Sequence, residues 1–355
     1  MTRPFRVIDT GLREGRANIA FDQALIDAHK AGDIPDTIRF LRFPPTALIG
    51  RHQALSHELK LDHCRQNGIG IVRRITGGGA IYFDEGQLGW ELVFSRATLG
   101  ISNLADLARE ICEAAAAGLG TLGVAAKYRP RNDIEVDGRK LCGTGGFFDG
   151  DTLFYQGTVL IDLNPADMVA ALRVAEAKLA KRALDSASQR VTTLKQLLGD
   201  GLPDLATIQA ALLKGFADRL GIAPEWGAIT AGEETLATQA FDEEIGTDSF
   251  VHEIDDPESG GDVLSASHTG PGGTVSAYLR LEGPRQDRVR EVLFTGDFFV
   301  TPPRIVFDLE ASLRGLPTAD LGAGVERFFA DAPVDLLTIA PADFRSVAEA
   351  ALGSR

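Results

Sequence analysis

The feature that most constrains this chain is a run of three glycines at residues 77–79, between an arginine pair and an apolar run typical of a strand. Glycine loses more conformational freedom on folding than other residues, so an ordered glycine run needs a local reason. One such reason is the close approach of another backbone or of a ligand. The preceding Arg73 and Arg74 carry planar sets of donors that suit carboxylate and phosphate. The stretch therefore predicts either a cradle for a long anionic ligand or a glycine-rich turn with two surface arginines.

Length and charge exclude several classes of protein. The chain has 355 residues, a length sufficient for two domains. Its net charge of −14 argues against general nucleic-acid binding and against docking on anionic membranes. No stretch approaches the roughly 20 apolar residues of a membrane span, and the N-terminus leads into no apolar signal core. Three scattered cysteines, without a CxxC pattern, predict reduced thiols and a cytoplasmic location.

Hydrophobic periodicity divides the first two thirds of the chain into short strands and a few helices. The predicted helices are 17–31, 104–119, 166–184 and 207–220, and the predicted strands are 38–43, 47–50, 69–74, 80–83, 89–94 and 152–162. Asn18 is the predicted cap of the first helix. Because short turns join most of these strands, an α+β domain with mixed sheets fits better than a doubly wound fold.

The last third has a different pattern. Strands are predicted at 273–282, 288–294 and 298–300, all able to pair, and helices at 304–313 and 323–329. Residues 231–270 hold many acids and no Lys or Arg, which is typical of a solvated linker. These patterns predict two domains, at 1–235 and 245–355.

A second glycine-rich segment, residues 131–146, surrounds the pair Asp137 and Gly138, the strongest short hairpin pattern. On the second strand of such a hairpin, Lys140 and Cys142 would share a face. A lysine beside a glycine-rich turn suits phosphate or an acyl carbonyl, although an exposed surface lysine fits the pattern too.

The same segment offers oxygen ligands. Asn132 and Asp133 either fill a turn or bind Mg²⁺ and nucleotide oxygens, since hard cations prefer carboxylate and amide oxygen. The residues by themselves leave both interpretations open.

Together the two segments resemble the lipoate–protein ligase family of the biotin/lipoyl ligase superfamily. The matching motifs, in the same order and spacing, lie at 18–26, 73–84, 131–134, 138–144, 157–160 and 190–194. The resemblance covers roughly residues 1–215, and more weakly a small accessory domain at the C-terminus. It implies an α+β fold: a biotin/lipoyl ligase-like catalytic domain with mixed β-sheets and flanking helices, plus a small α+β accessory domain.

The resemblance implies a two-step ligase. Lipoate and ATP would give lipoyl-adenylate, and a lysine of a lipoyl domain or H-protein-like carrier, including a dedicated carrier of sulfur oxidation, would accept the lipoyl group. Lys140 would be catalytic, and Asn132 and Asp133 would place ATP and Mg²⁺, with Asp133 as the metal ligand. The residues implied to bind the substrate are Arg73, Arg74, Thr76, Gly77, Gly78, Gly79, Ala80, Tyr82, Phe83, Cys142, Gly143, Thr144, Gly157 and Thr158.

Several departures from the family pattern leave alternatives open. Phe83 and Gln156 stand where the family commonly has His, and Cys142 stands where Ser is usual. Cys142 could carry a thioester in an octanoyl or lipoyl transferase of the same fold. The lost histidines are compatible with a non-catalytic lipoyl-binding protein. A biotin ligase shares the fold, but its arginine and glycine motif differs.

Overall fold

The chain forms two compact units, and two short segments of its N-terminal half belong to the second. The computed structural model describes residues 3–101, 103–130, 132–173, 189–270, 272–332, 334–336 and 339–354. The first unit comprises Met1–Leu48, Leu59–Arg73 and Ile81–Val251, and the second comprises Ile49–Glu58, Arg74–Ala80 and His252–Arg355. The triple glycine therefore lies in the second unit. The functional domain limits 1–235 and 245–355 stay a prediction.

The strands follow the predicted spacing closely. In chain order they are β1 (Arg3–Leu12), β2 (Thr37–Arg42), β3 (Thr46–Ile49), β4 (Gly70–Arg73), β5 (Ile81–Phe83), β6 (Gln87–Ser95), β7 (Lys127–Arg129), β8 (Asp133–Val136), β9 (Arg139–Asp149), β10 (Thr152–Leu160), β11 (Ile222–Trp226), β12 (Leu264–Gly270), β13 (Gly273–Glu282), β14 (Arg288–Gly296), β15 (Val300–Thr301) and β16 (Asp335–Leu336). Sequence reasoning missed five strands: β1, β7, β11, β12 and β16.

The helices pack around these strands. In chain order they are α1 (Gly15–Ala31), α2 (Leu55–Glu58), α3 (Leu61–Gln66), α4 (Arg96–Leu99), α5 (Leu104–Gly120), α6 (Pro165–Ala171), α7 (Leu194–Leu198), α8 (Leu205–Leu220), α9 (Ala231–Ala240), α10 (Asp248–Val251), α11 (Ile305–Leu313), α12 (Leu321–Asp331) and α13 (Pro341–Leu352). Residues 174–184 of the predicted helix 166–184 lie outside the described residues. Within the described ranges, no helix has the length and apolar character needed to cross a membrane.

One eight-stranded sheet organises the first unit. Its order is β11-β1-β2-β6-β10-β9-β8-β7, and a second sheet has the order β4-β3-β5. In the large sheet β1 runs parallel to both β11 and β2, and the other ladders are antiparallel. These mixed sheets with flanking helices confirm the predicted α+β class.

Helix α1 begins earlier than predicted. Glu14 is its N-cap, and the carboxylate of Glu14 accepts a hydrogen bond from the amide of Ala17. Gly32, with φ of 78°, ends it. The predicted cap, Asn18, lies inside the helix and donates its amide to the carbonyl of Arg42 at 2.9 Å. The cap prediction was wrong because Glu14, about one turn earlier, already accepts from a free amide at the start of the helix.

The core of the first unit contains a buried cluster of charges. Arg39 on β2 has 0% of its surface exposed and donates to Asp22 at 2.6 Å, to Glu91 at 3.1 Å and to Asn18 Oδ1 at 2.7 Å. Burial raises the pKa of Glu91 well above its usual range, and nearby Asp22 adds to the rise. Apolar and basic residues alternate along this strand, a pattern that predicts a half-buried strand. Nearly the whole strand is buried instead, because the buried acids pair with Arg39.

The first part of the acidic segment is helical rather than a linker. Helix α9 packs against α1. Glu233 at its start is buried and pairs with Arg6, and Glu234 pairs with Arg13. A π-helical turn, Phe241–Ile245, continues the helix. The linker interpretation was therefore wrong for residues 231–251, because the segment is helical and two arginines distant in sequence pair with its first two acids.

The second unit packs helices against an antiparallel sheet, β12-β13-β14. Its core includes Val275, Phe294, Leu309 and Phe344. The predicted strand 298–300 was expected to pair with β13. Instead β15 pairs with β16.

Glu310 makes the stability of the second unit depend on pH. It lies buried on α11, and its carboxyl accepts from the amide of Phe294 at 2.7 Å. Burial raises the pKa of Glu310 from 4.5 to about 8. The native state thus holds this proton over a range in which the unfolded chain releases it, so stability is full at low pH and falls as the pH rises towards 8.

Replacement Glu310→Gln should remove this dependence. We expect the unfolding free energy of the variant, relative to the parent chain, to rise by up to about 1.4 kcal/mol per pH unit between about pH 5 and pH 8. Urea titrations at each pH, followed by circular dichroism, measure the difference. The exposed Glu282→Gln is the control, since it removes a surface carboxylate. Parallel curves for Glu310→Gln and the parent would contradict the prediction.

Candidate functional site

The segment with the predicted catalytic lysine forms a tight hairpin between β8 and β9. Asp137 and Gly138 connect the strands, with φ of 49° and 77°. Two consecutive residues with positive φ are typical of a type I′ turn, which matches the twist of paired strands. The predicted hairpin is confirmed, but the glycine-rich turn predicted beside Lys140 was wrong. Strand β9 continues to Asp149, because its glycines pair with β10.

A bulge changes which side chains share a face of this hairpin. Lys140 lies opposite Glu135, whereas Cys142 lies opposite Ile134, so Leu141 is an extra residue on β9. Directly paired residues project to the same face, and neighbours on one strand project to opposite faces. Lys140 and Cys142 therefore lie on opposite faces. Their predicted shared face was wrong because a bulge cannot be seen in the alternation of a single strand.

Lys140 is held by a carboxylate. Its Nζ lies 2.8 Å from Asp133 Oδ1, and the lysine side chain is 35% exposed. Arg129 pairs with the other oxygen of the same carboxylate. A Cβ added to Gly143 would lie only 2.6 Å from Lys140 Nζ, so glycine is needed there for the lysine to fold over the strand. The structure thus brings together Lys140, Asp133 and Gly143, three residues that the resemblance implied for the site, and their roles there stay a prediction.

Asn132 and Thr144 are joined by hydrogen bonds across the hairpin. The amide group of Asn132 donates to the carbonyl of Thr144 at 2.8 Å, and the Thr144 hydroxyl donates to the carbonyl of Asn132 at 2.9 Å. Thr144 is buried. Its hydroxyl is thus used in positioning Asn132, while its implied role in binding substrate stays a prediction.

Two further candidates lie on β10, beside the hairpin. Thr158 pairs with Gly143, which places it on the Lys140 face of the sheet. A Cβ on Gly157 would lie 2.1 Å from Trp90 Cζ2, so this glycine makes room for a buried indole ring. Gly157 is therefore explained by packing. Thr158 lies on the Lys140 face, where its implied contact with a ligand stays a prediction.

The triple glycine packs against another part of its own unit. A Cβ on Gly77 would lie 2.1 Å from the carbonyl oxygen of Phe298, to which the amide of Gly78 donates at 3.1 Å. Gly78 also has φ of 92°, and its Cβ would lie 2.6 Å from Phe299 Cζ. An ordered glycine run is explained by the close approach of another backbone or of a ligand, and the structure shows another backbone there. Ligand binding by these glycines stays a prediction.

The arginine pair is buried against main-chain carbonyls. Arg73 donates to the carbonyl of Phe250 at 3.1 Å, and Arg74 donates to those of Gly77 at 3.2 Å and Gly79 at 2.9 Å. Burial lowers the pKa of Arg74 to about 10, which leaves it charged at neutral pH. Both arginines thus stabilise the local backbone, and their implied contacts with an anionic ligand stay a prediction.

The remaining candidates follow the glycines. Thr76 is buried and Ala80 half-buried. Tyr82 and Phe83 lie buried on β5, where the ring of Phe83 is 4.6 Å from that of Phe43. Burial raises the pKa of Tyr82 to about 12. Packing accounts for Phe83, the residue that stands where the family commonly has His.

Substitution Gly77→Ala tests whether backbone packing requires this glycine. The added methyl group meets a carbonyl oxygen that cannot rotate away, so we expect a loss of about 1–3 kcal/mol of unfolding free energy. Gly79→Ala is the matched control, because its Cβ would lie 3.6 Å from Asp297 Cβ, an ordinary contact. Thermal unfolding measures both. Equal effects would contradict the packing explanation, whereas loss of lipoate binding in Gly79→Ala alone would favour a ligand cradle.

Comparisons with known proteins agree with the motif analysis. The family model described as the lipoyl protein ligase A/B catalytic domain matches residues 14–217. Octanoyltransferase LipM of Symbiobacterium thermophilum is 30% identical over 273 residues, which are 70% of this chain and 98% of that protein. The resemblance inferred from the motifs is confirmed.

Solved structures show the same fold. One, of an archaeal lipoylation system from Thermoplasma acidophilum with a bipartite lipoate protein ligase and its E2 lipoyl domain, has a TM-score of 0.62 at 26% identity, covering 71% of this chain and 97% of that chain. A crystal structure of lipoate-protein ligase A bound with ATP has the same TM-score and identity, covering 72% and 100%. Ligases and an octanoyltransferase thus both occur among the similar proteins, and similarity alone does not choose between them.

Proposed function

Because the chain belongs to the lipoyl protein ligase A/B catalytic domain family, we propose that it is an ATP-dependent lipoate–protein ligase. In the first step, the carboxylate of lipoate attacks the α-phosphorus of ATP, which forms lipoyl-adenylate and releases pyrophosphate. In the second step, the amine of an acceptor lysine attacks the acyl carbonyl, which forms an amide and releases AMP and a proton. ATP supplies the activation, so the enzyme needs no nucleophile of its own.

The observation that carries this proposal over thioester transfer is the burial of every cysteine. The sequence has three, Cys64, Cys112 and Cys142, and each has 0% of its surface exposed. Acyl transfer through cysteine needs the thiolate. Burial raises the pKa of all three thiols, to about 11 for Cys112. A thioester route would start from an inaccessible, protonated thiol.

Lys140 is the residue that we assign to catalysis in this proposal. In both steps negative charge develops on phosphoryl or carbonyl oxygens, and a fixed positive charge stabilises it without rearrangement. The contact with Asp133 at 2.8 Å holds the amine in place, and Arg129 holds the same carboxylate from its other side. Because these contacts already restrict the lysine side chain, it would lose little further conformational entropy when the nucleotide binds.

Mg²⁺ is the ion that we propose to arrive with ATP. Among the described residues, no group of three or more His, Cys, Asp or Glu could hold a metal. Mg²⁺ commonly uses one or two carboxylates and completes its coordination with water and substrate phosphates. Asp133 offers the single carboxylate for that kind of site, and the adjacent Asn132 supplies a second oxygen ligand by residue type. Mg²⁺ would share this carboxylate with Lys140 and Arg129, which contact its two oxygens. The ion would offset phosphate charge there.

The proposed acceptor is a small lipoyl domain or an H-protein-like carrier, including a dedicated carrier of sulfur oxidation. The similar archaeal ligase is described together with an E2 lipoyl domain, which supports the first of these classes. A mass increase on each purified carrier, supplied with lipoate and ATP, would identify the acceptor.

Exchange of pyrophosphate into ATP tests the first step alone. We expect exchange that depends on lipoate and Mg²⁺ and that is absent with biotin. Lipoate binding without exchange would identify a binding protein instead. Exchange that depends on biotin would identify a biotin ligase.

Substitution Cys142→Ser separates ligation from thioester transfer. We expect the variant to keep lipoate-dependent exchange and ligation within about threefold, since the buried thiol acts as a small packing group. Intact-mass measurement of the parent chain with an acyl-carrier donor should show no hydroxylamine-sensitive adduct. Loss of acyl transfer in the variant, together with such an adduct on the parent, would favour the transferase.

A further inference from the structure

Three buried polar side chains form a hydrogen-bonded group behind the hairpin. The Tyr155 hydroxyl lies 2.7 Å from the Thr144 hydroxyl and 3.5 Å from Cys112 Sγ, and Cys112 Sγ lies 3.2 Å from Thr144. Tyr155 comes from β10, Thr144 from β9 and Cys112 from α5. All three are buried, so a lost partner would leave a polar group without water to replace it.

The direction of these hydrogen bonds follows from counting protons. The Thr144 hydroxyl has one proton, and it donates that proton to the carbonyl of Asn132 at 2.9 Å. Tyr155 must then be the donor in its contact with Thr144. Cys112 keeps its own proton to donate, because burial raises the pKa of its thiol to about 11. The chain of donors thus runs from the core towards Asn132.

The chain ends on the residue next to the candidate metal ligand. Besides the hydroxyl contact, the amide of Thr144 donates to the Asn132 carbonyl at 2.8 Å, and the Asn132 side chain donates back at 2.8 Å. Three hydrogen bonds therefore join these two residues. Asp133, which follows directly, binds Lys140. The connection thus holds the residue that directly precedes this carboxylate.

We propose that Tyr155 is a positioning residue for the nucleotide step, which it supports through Thr144 and Asn132. The inference rests on the proposed function, because it concerns where Asp133 and Lys140 meet ATP. Supporting groups that lock the residues around a reaction centre keep them within a fraction of an ångström of the productive geometry. A displacement of about 1 Å can cost up to about 100-fold in rate.

Removing a hydroxyl from the chain should weaken the use of ATP. We expect Tyr155→Phe and Thr144→Val to raise the KM for ATP in pyrophosphate exchange by about 10-fold, and Tyr155→Phe to leave the KM for lipoate within about twofold. Thr144→Ser, which keeps the hydroxyl, should restore the parent value. Tyr278→Phe, a buried tyrosine of the second unit, is the matched control and should change neither constant.

Hydrogen exchange gives a readout that is independent of activity. The Thr144 amide, which donates to Asn132, should exchange at least about 10-fold faster in Thr144→Val than in Thr144→Ser. Faster exchange with an elevated KM for ATP supports the inference. Equal rises in the KM for ATP and the KM for lipoate in Tyr155→Phe, or a Thr144→Ser variant as impaired as Thr144→Val, overturn it, since either result fits a role in folding alone. A parent chain without lipoate-dependent exchange would overturn the proposed function itself.

Discussion

Replacement of Lys140 by methionine is expected to lower lipoate-dependent pyrophosphate exchange by about 100- to 1,000-fold. Methionine keeps the length of the side chain but removes the charge that would meet the developing negative charge. The contact with Asp133 is partly exposed, so its loss should cost less than about 1 kcal/mol of unfolding free energy. The large effect should therefore appear in the rate and not in the melting temperature.

A matched control lies two strands away in the same large sheet. Lys127 on β7 is exposed, and Lys127→Met removes one positive charge from the same sheet. We expect less than about a threefold change, because exposed charges act weakly through screened solvent. Lys140→Arg should recover only part of the rate, since a planar guanidinium does not replace a compact ammonium. Normal exchange in Lys140→Met would exclude the assigned role of this lysine.

Replacement of Arg39 by methionine should destabilise the first unit by about 3–5 kcal/mol. The substitution leaves Asp22 and Glu91 buried with no cation between them. Because burial raises the pKa of both acids, lowering the pH protonates them and removes the unpaired charge. The loss of stability should therefore shrink as the pH falls towards about 5.

Urea unfolding of parent and variant at matched pH values tests this prediction. Arg219→Met is the control in the same unit, because Arg219 is 41% exposed in its pair with Glu113 and should contribute less than about 1 kcal/mol. Equal losses for the two variants, or a loss for Arg39→Met that does not change with pH, would show that the buried cluster is not held together by this cation.

Local turn chemistry made the hairpin predictable. Asp137 and Gly138 accept positive φ at low cost, and this preference depends on few other residues. The same locality explains why most strands and helices lie close to their predicted positions. The bulge at Leu141 could not be predicted, because it depends on the register between two strands.

The wrong predictions of burial concern charged residues whose partners lie far away in the sequence. Arg39 and Glu233 looked like surface charges, yet both are buried. Their partners, Glu91 and Arg6, lie 52 and 227 residues away. Tyr155 carried no pattern of its own, since its role depends on meeting Thr144 across two strands.

The sequence by itself determined the family and the inventory of reacting groups, because an ordered series of motifs and local turn preferences is written in neighbouring residues. The tertiary structure alone decided which groups are usable. It placed Lys140 beside Asp133, closed all three cysteines from solvent and filled the space above Gly77 with a carbonyl oxygen. Burial, register and close approach depend on residues far apart in the chain, so they follow only from the folded molecule.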